Sequence, residues 1–449
     1  MLNFLILHTP LFYFTQSIWR DEAFSILLAQ RPILSFIGKL SFEPPLYYIL
    51  LHFWMKIFGT SEIATRTLSL LAFALATIVV IHWGEKLFKK HWLSWYLPMF
   101  FFFNPMLLYY AFEVRMYGWY VLFAVLSMYA YMEKKWKLYI FATTLGFYTH
   151  TYMIFVPFVQ LVHYALVNKK FIHPKHIRSL ITNPMIRSLA AVGVLISPWM
   201  VKILLETSRL KQSWYYPVDL HLIRSVLGNI FAGYEGTPWF LWPITAGVSL
   251  VILSLAAFSV WRKPTRTRNS FFVLMIFVPL VIVIGISFFK PLFVNRYVIP
   301  VAIGELFAIV FAIEAIKNKT TQMIFAASAL AIVLVFNCWY PPYHAKLNIR
   351  NTLTQINTLL GKNDVILVDS PLVFFESIYY STDPSRVFLY NPHRGAFPWY
   401  VGDIIVSPSQ IVFDLPLYPV RAFLVHEDGT FNVAYNTSVT YRPQAKKKK

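Results

Sequence analysis

Long apolar stretches recur along this chain of 449 residues and constrain its fold more than any other feature. Several of them run for about 17 to 23 residues, for example 67–83, 239–261 and 271–289. A helix of that length crosses the ~30 Å hydrocarbon core of a bilayer, because each residue adds about 1.5 Å of rise. Only 13% of the residues are charged, whereas 57% are hydrophobic. The sequence therefore predicts a polytopic α-helical membrane protein.

Basic residues are concentrated in alternate loops between the apolar stretches. They occupy the loops at 84–92, 133–137, 168–187, 262–268 and 317–319, whereas those at 112–117, 149–151 and 290–296 hold few Lys or Arg. Short loops rich in Lys and Arg stay in the cytoplasm. The pattern predicts about 11 transmembrane helices in the plasma membrane, with a cytoplasmic N-terminus and an extracytoplasmic C-terminus. The same loops account for the net charge of +20, so we expect membrane lipids and no nucleic acid as partners.

The two ends of the chain differ from this repeating pattern. Residues 1–18 lack the basic segment and the cleavage site of a signal peptide, and we interpret them as a short or clipped first span. Residues 341–449 combine a helical pattern with short runs typical of strands, which predicts a small extracytoplasmic α/β domain beside a transmembrane domain at 1–340. The lone cysteine, Cys338, excludes an intrachain disulfide bond.

The first outer loop, residues 19–66, is long and carries charges directly after an apolar run. Arg20, Asp21 and Glu22 face the extracytoplasmic side in the predicted topology. Further along, the stretch 45–58 is aromatic, contains His52 and Lys56, and is too short to cross the membrane easily. It suits a helix lying in the membrane interface.

Several charged or polar groups converge on this outer side if the predicted topology holds. A carboxylate there would deprotonate an incoming hydroxyl, and an arginine would hold a phosphate through two parallel hydrogen bonds. Each group also has a structural alternative that stays open. Asp21 and Glu22 would suit a helix cap, Glu113 and Arg115 a loop ion pair, and His150 and Arg296 interfacial positions.

Six motifs follow one another over about 300 residues: IWRDEAFS, EPPLYYILLHFWMKIFG, SEIATRTLSLL, YYAFEVRMYGWY, GFYTHTYMIF and KPLFVNRYVIP. In this order they resemble the GT-C membrane glycosyltransferases, in particular the bacterial and archaeal group similar to protein O-mannosyltransferases and aminoarabinose transferases. The resemblance covers nearly the whole membrane part. It implies a GT-C type of fold and a transferase that takes a sugar from a polyprenyl-phosphate donor on the extracytoplasmic face.

The resemblance also implies roles for individual residues. Asp21 would be the catalytic base, with Glu22 beside it. The donor phosphate would be bound by Arg115, Arg296, Tyr117 and Tyr297. A supporting set would comprise Glu43, Pro44, Pro45, Arg66, Glu113 and His150. Many relatives have a histidine where Glu43 stands.

We therefore expect an inverting glycosyltransferase whose acceptor is a lipid, a glycan or a protein. Asp21 and Glu113 are the oxygen ligands that Mg²⁺ or Mn²⁺ would use, and reactions with and without such a metal both stay open. The alternatives are a transporter or flippase, which would bury ionisable residues near the middle of the bilayer, and a membrane scaffold presenting the α/β domain.

Overall fold

The computed structural model describes residues 2–437 apart from residues 90, 169–181, 208, 210–216, 232–238, 262 and 398–401. The chain divides into two compact units. The first unit combines Met1–Thr15 with Ala29–Ala345, and the second combines Gln16–Leu28 with Lys346–Lys449. The division after Ala345 lies near the predicted domain boundary at 340. The grouping of residues 16–28 with the C-terminal residues is a feature that the sequence analysis does not predict.

Helices dominate the described residues. In chain order they are α1 (Leu2–Leu7), α2 (Leu11–Thr15), α3 (Arg20–Ala29), α4 (Ile33–Ile37), α5 (Leu46–Phe58), α6 (Glu62–Phe88), α7 (Leu93–Phe102), α8 (Pro105–Ala111), α9 (Tyr117–Met132), α10 (Trp136–Thr149), α11 (Phe155–Val167), α12 (Pro184–Leu205), α13 (Leu220–Phe231), α14 (Trp242–Trp261), α15 (Arg266–Ser287), α16 (Ile299–Ala315), α17 (Lys319–Trp339), α18 (Ile349–Leu359) and α19 (Phe374–Tyr380).

The polytopic helical class predicted from the apolar stretches is confirmed. Among the described residues, six helices are long and apolar enough to cross a membrane: α6, α12, α14, α15, α17 and the helix over Asn295–Ala315 that contains α16. Shorter apolar helices lie at Leu46–Phe58, Leu93–Phe102, Thr151–Val167 and Leu220–Phe231. Helices are also present at each span that the sequence predicts after the first: 67–83, 93–111, 118–132, the two spans on either side of 149–151, 188–205, 239–261, 271–289, the span that ends before 317–319, and 323–340.

Three details differ from the predicted spans. The first span is two short helices, α1 and α2, because Pro10 lacks the N–H that a continuous helix would need. The third predicted span, 93–111, is divided into α7 and α8 at Asn104, whose side chain accepts from the Leu107 N–H and caps the second helix. The mixed stretch 206–238, which the sequence predicts as a loop between two spans, contains α13, a helix of 12 residues.

Close backbone contacts set how the helices of the first unit pack. Gly118 on α9 lies against α6, and a Cβ at this position would come within 2.3 Å of the Ser69 carbonyl oxygen. The helix that contains α16 lies at the centre of the unit, because 94% of its most apolar stretch of 18 residues is buried. Trp83 packs there against Phe307, with ring centroids 4.8 Å apart. This rigid interior supports the turns that carry the candidate site.

The second unit contains a five-stranded sheet and confirms the predicted α/β character of the C-terminal part. Its strands are β1 (Val365–Val368), β2 (Val387–Tyr390), β3 (Ile411–Val412), β4 (Ala422–Val425) and β5 (Phe431–Ala434). Their order is β3-β2-β1-β4-β5, and every pair is parallel except β4 with β5. The apolar run of β1 suits a central parallel strand, because such strands are covered on both faces.

Candidate active site

The turn between α8 and α9 carries Glu113 and Arg115 into the interior of the first unit. Both residues are buried, with 1% and 4% of their surface exposed. The Ser69 hydroxyl on α6 donates to the Arg115 carbonyl oxygen at 2.9 Å, which fixes the backbone of the turn. The Tyr109 hydroxyl is hydrogen-bonded to the Glu113 carboxylate. The Glu-x-Arg-x-Tyr motif therefore forms an ordered turn with both charges turned inward.

The guanidinium of Arg115 binds the carboxylate of Glu43. Arg115 Nη2 donates to Glu43 Oε1 at 2.7 Å, and the Tyr48 hydroxyl donates to Glu43 Oε2. The buried Pro44 and Pro45 directly precede α5, so the Pro-Pro pair places Glu43 just before the helix that carries Tyr48. The side chain of Glu43 is 36% exposed, whereas that of Arg115 is only 5% exposed. A carboxylate thus binds one nitrogen of the guanidinium that the resemblance assigns to the donor phosphate.

His150 ends α10 and lies among aromatic rings. Its ring stacks on Tyr120, with centroids 4.6 Å apart and planes 10° apart, and it lies 5.9 Å from the Tyr117 ring. His150 Nδ1 accepts from the Tyr152 N–H at 3.2 Å. Burial, with the positive charges of Arg115 and Arg296, lowers the pKa of His150 to about 3. The imidazole is therefore neutral at physiological pH and keeps its other nitrogen for a hydrogen bond.

Arg296 and Tyr297 lie in a short turn of 3₁₀ helix at Asn295–Val298. Arg296 is buried, and its guanidinium carbon is 5.6 Å from the centre of the Tyr297 ring. The Tyr120 hydroxyl donates to the Tyr297 carbonyl oxygen at 3.2 Å, which joins this turn to α9. The Tyr297 ring lies 5.1 Å from the His150 ring, which in turn lies 5.9 Å from the Tyr117 ring. The predicted Arg-Tyr pair therefore belongs to the same cluster as the Glu-x-Arg-x-Tyr motif.

Arg66 has a contact of another kind. It is fully buried in α6, and its Nη1 donates to the Phe14 carbonyl oxygen at 3.0 Å. Phe14 lies in α2, so Arg66 ties the first helices of the chain to α6. This contact supports the fold of the first unit.

Asp21 and Glu22 lie in the first turn of α3, which belongs to the second unit. Glu22 Oε2 accepts from the Trp19 N–H at 3.3 Å, the contact that a glutamate in the first helical turn makes in a capping box. Glu22 is fully buried, and Lys346 Nζ lies 3.3 Å from the same oxygen. Asp21 beside it is half-buried. The structure thus shows a helix cap at Glu22, and the catalytic roles of both acids stay predictions.

The structure brings some of the predicted site residues together, but not all of them. In the first unit the structure brings together Glu43, Glu113, Arg115, Tyr117, His150, Arg296 and Tyr297. Asp21 and Glu22 belong to the second unit, and their approach to this cluster stays a prediction. Sequence reasoning missed Tyr48, Tyr110 and Tyr120 within the cluster. The only signal for them was their place in the aromatic motifs, which suits a membrane-interface belt equally well.

A divalent metal ion would need several oxygen or nitrogen ligands from side chains that lie close together. Within the part of the chain that the structure describes, no three His, Cys, Asp or Glu side chains come together so that they could hold a metal ion. The predicted pair of Asp21 and Glu113 therefore has no third protein ligand among these residues. A metal role for them stays a prediction, and no step below depends on it.

The fold and the site together define a multi-pass membrane protein with a buried cluster of arginines, a neutral histidine and tyrosines at the ends of its helices, and a small α/β unit. Its fold is similar to that of ArnT from Cupriavidus metallidurans bound to undecaprenyl phosphate, with a TM-score of 0.60, 12% identity, and coverage of 95% of this chain and 92% of that chain. The apo structure of the same protein gives a TM-score of 0.59 at 13% identity, covering 92% and 91%. No protein-family model and no curated protein sequence matches. The likeness confirms the predicted GT-C type of fold.

Proposed function

We propose that this protein is a membrane glycosyltransferase that transfers a sugar from a polyprenyl phosphate to an acceptor hydroxyl on the extracytoplasmic face of the plasma membrane. The observation that carries the proposal is the cluster of Arg115, Arg296 and His150, all three buried, in which burial and the two positive charges lower the pKa of the histidine. Two guanidiniums gathered at helix ends suit a phosphate carried by a membrane lipid. The likeness to a structure that binds undecaprenyl phosphate supports this donor class.

The proposed reaction is a single displacement that inverts the anomeric carbon. The acceptor oxygen forms a bond to that carbon while the bond between the carbon and the phosphate oxygen breaks. The electron pair of the broken bond stays on the polyprenyl phosphate, and the hydroxyl proton goes to the Asp21 carboxylate. The products are the glycosylated acceptor, a polyprenyl phosphate and a protonated Asp21.

The leaving phosphate gains negative charge during this step. Arg115 and Arg296 would stabilise that charge better in the transition state than in the bound donor, which is the condition for faster chemistry. Arg115 Nη2 already donates to Glu43 Oε1 at 2.7 Å, so this guanidinium binds an anionic group in its buried position. His150, which is neutral, would donate a hydrogen bond without adding a third positive charge. The hydroxyls of Tyr117 and Tyr297 would complete the phosphate site.

The test of this proposal is the Asp21→Asn variant of the full-length protein in membranes. We expect transfer from a panel of radiolabelled undecaprenyl-phosphate hexoses and pentoses to fall by about 100-fold or more, because an amide cannot accept the proton. Binding of undecaprenyl phosphate alone should stay near the wild-type value. Asp414→Asn, at an exposed acid of the second unit, is the matched control and should keep full activity. Near wild-type transfer by a folded Asp21→Asn variant would exclude Asp21 as the base.

A second candidate, a transporter or flippase, is favoured by one observation. Glu305 lies inside α16, is fully buried, and has no hydrogen bond to either carboxyl oxygen among the described residues. An ionisable residue within a membrane span often marks a transport pathway. The sequence analysis did not single it out, although it is an acid within an apolar stretch.

The Glu305→Gln variant separates the two functions. A transferase that works at the helix ends should keep transfer within about twofold of wild type, since the amide preserves the shape of the buried side chain. A transporter that uses Glu305 should lose movement of a fluorescent polyprenyl phosphate across proteoliposomes. Loss of flipping with no transfer activity in the wild-type protein would favour the second candidate.

A further inference from the structure

The segment that carries the predicted base is held by side chains from the far end of the chain. Within the second unit, the Tyr380 hydroxyl accepts from the Ile18 N–H at 2.7 Å, and the Phe24 and Phe375 rings pack edge to face with centroids 5.8 Å apart. Lys346 pairs with Glu22 at 3.3 Å. Phe375 and Tyr380 both lie on α19, so this one short helix contacts the segment before and within α3.

Glu376 lies between these two contacts on α19. Only 5% of its surface is exposed, and its Oε2 has no hydrogen bond among the described residues. The backbone N–H of Arg20, the first residue of α3, donates a hydrogen bond to the Glu376 carboxyl group. Burial, helped by the negative charge of Asp21, raises the pKa of Glu376 to about 8, although its own N–H and the charge and N–H of Arg20 lower it.

A buried carboxyl group is costly, and a side chain kept only for packing would be apolar. Glu376 also satisfies one of the backbone N–H groups that the first turn of a helix leaves without an intrahelical partner. The backbone of Arg20 precedes Asp21 by one residue. A shift of this N–H therefore changes the direction in which the Asp21 side chain leaves the helix.

We propose that Glu376 is a positioning residue of the transferase: it holds the first turn of α3 through the Arg20 N–H and so fixes the direction of Asp21. Within the second unit, α19 thus holds the turn that carries the proposed base, a role that the sequence alone does not predict for its residues. This inference rests on the proposed function for the role of Asp21. The contact between Glu376 and α3 lies wholly within the second unit and can be tested without any sugar transfer.

The experiment compares Glu376→Ala and Glu376→Gln in the full-length protein. Hydrogen exchange of the amides at residues 20–24 measures the order of the first turn of α3. Transfer from the undecaprenyl-phosphate sugar panel and binding of undecaprenyl phosphate alone measure function. Glu427→Ala, at an exposed acid of the same unit that accepts from the Ser370 hydroxyl at 2.8 Å, is the matched control.

We expect Glu376→Ala to speed exchange at residues 20–24 and to lower kcat by about 10- to 100-fold, because small misplacements of a catalytic group are costly. The KM for the donor and the binding of undecaprenyl phosphate should change less than about twofold, since Glu376 touches neither in this proposal. Glu376→Gln should restore both exchange and turnover to near wild type, because its amide oxygen can accept from the Arg20 N–H. Glu427→Ala should match the wild-type protein.

Unchanged exchange at residues 20–24 in Glu376→Ala would overturn the inference. So would a Glu376→Gln variant as impaired as Glu376→Ala, because that result would require the acid itself. Failure of the proposed function has a different signature. In that case exchange responds to Glu376→Ala and recovers in Glu376→Gln, while Asp21→Asn keeps full transfer activity.

Discussion

Arg115 is the residue whose geometry bears most directly on how an anion would be held. Its side chain is 5% exposed, so it has lost most of its water and relies on fixed partners. Its Nη2 binds Glu43, and its Nη1 lies 3.5 Å from the Tyr48 hydroxyl. A planar fork with several donors offers two parallel hydrogen bonds to a phosphate, and an ammonium group does not.

We predict that Arg115→Lys weakens binding of undecaprenyl phosphate by about 10-fold or more, corresponding to at least ~1.4 kcal/mol. Native mass spectrometry of the protein in detergent would measure this. Arg268→Lys is the control, since Arg268 also pairs with a carboxylate, that of Glu314, and lies over the Phe311 ring at 4.0 Å. Equal binding of undecaprenyl phosphate by the Arg115→Lys variant and the wild-type protein would contradict the proposed role of Arg115 in holding the phosphate.

At this scale the sequence predicts residue types better than it predicts partners. The motifs single out Arg115, His150 and Arg296, because their order along the chain resembles that of the GT-C membrane glycosyltransferases. The partnership of Arg115 with Glu43 joins positions 72 residues apart, and no local pattern encodes it. Glu22 shows the same limit, because its cap contact is local and predictable whereas its pairing with Lys346 spans 324 residues.

Among the elements, the close crossing of α6 and α9 is the one that lies directly beside the candidate site. A Cβ at Gly118 would lie 2.3 Å from the Ser69 carbonyl oxygen, a backbone atom that cannot rotate away. Ser69 also anchors the turn before α9 through the Arg115 carbonyl. The separation of these two helices therefore affects both stability and the position of the site.

We predict that Gly118→Ala lowers the free energy of unfolding by about 1–3 kcal/mol, because the two helices must move apart. Thermal unfolding in detergent would show a lower Tm, together with weaker binding of undecaprenyl phosphate. Gly193→Ala on α12 is the control, since a Cβ there meets nothing within 4 Å. That change should leave Tm unchanged or raise it slightly, because alanine favours helix by about 1 kcal/mol over glycine. A stable Gly118→Ala variant would mean that the crossing can adapt.

The helices themselves were largely predictable, because a membrane requires each span to satisfy its own backbone hydrogen bonds. The break at Asn104–Pro105 carries the usual signals of a helix start, yet the continuous apolar run outweighs them in a hydropathy reading. Helix α13 was missed because His221, Arg224 and Asn229 interrupt its apolar residues. Its amphipathic pattern, with apolar residues on one face of the helix and polar residues on the other, was the signal that could have revealed it.

For the molecule as a whole, the charges of the loops predict its orientation in the membrane. The orientation can be tested with cysteines, because the chain has only Cys338. In a Cys338→Ser background, we predict that Ser385→Cys reacts with a membrane-impermeant maleimide on intact spheroplasts. Lys137→Cys, at an exposed position in the basic loop 133–137, should react only after the membrane is permeabilised. The opposite labelling pattern would mean that the orientation is the reverse of the predicted one, and it would contradict an active site on the extracytoplasmic face.

The grouping of residues 16–28 with the C-terminal unit has a consequence for biosynthesis. Ile18 and Tyr380 are hydrogen-bonded to each other but separated by 362 residues. At a synthesis rate of about 5–20 residues per second, Ile18 leaves the ribosome roughly 20 to 70 s before Tyr380. During that interval the segment lacks the partners that order it in the finished protein. The segment that carries Asp21 therefore becomes ordered only after Tyr380, 362 residues beyond Ile18 along the chain, has been made.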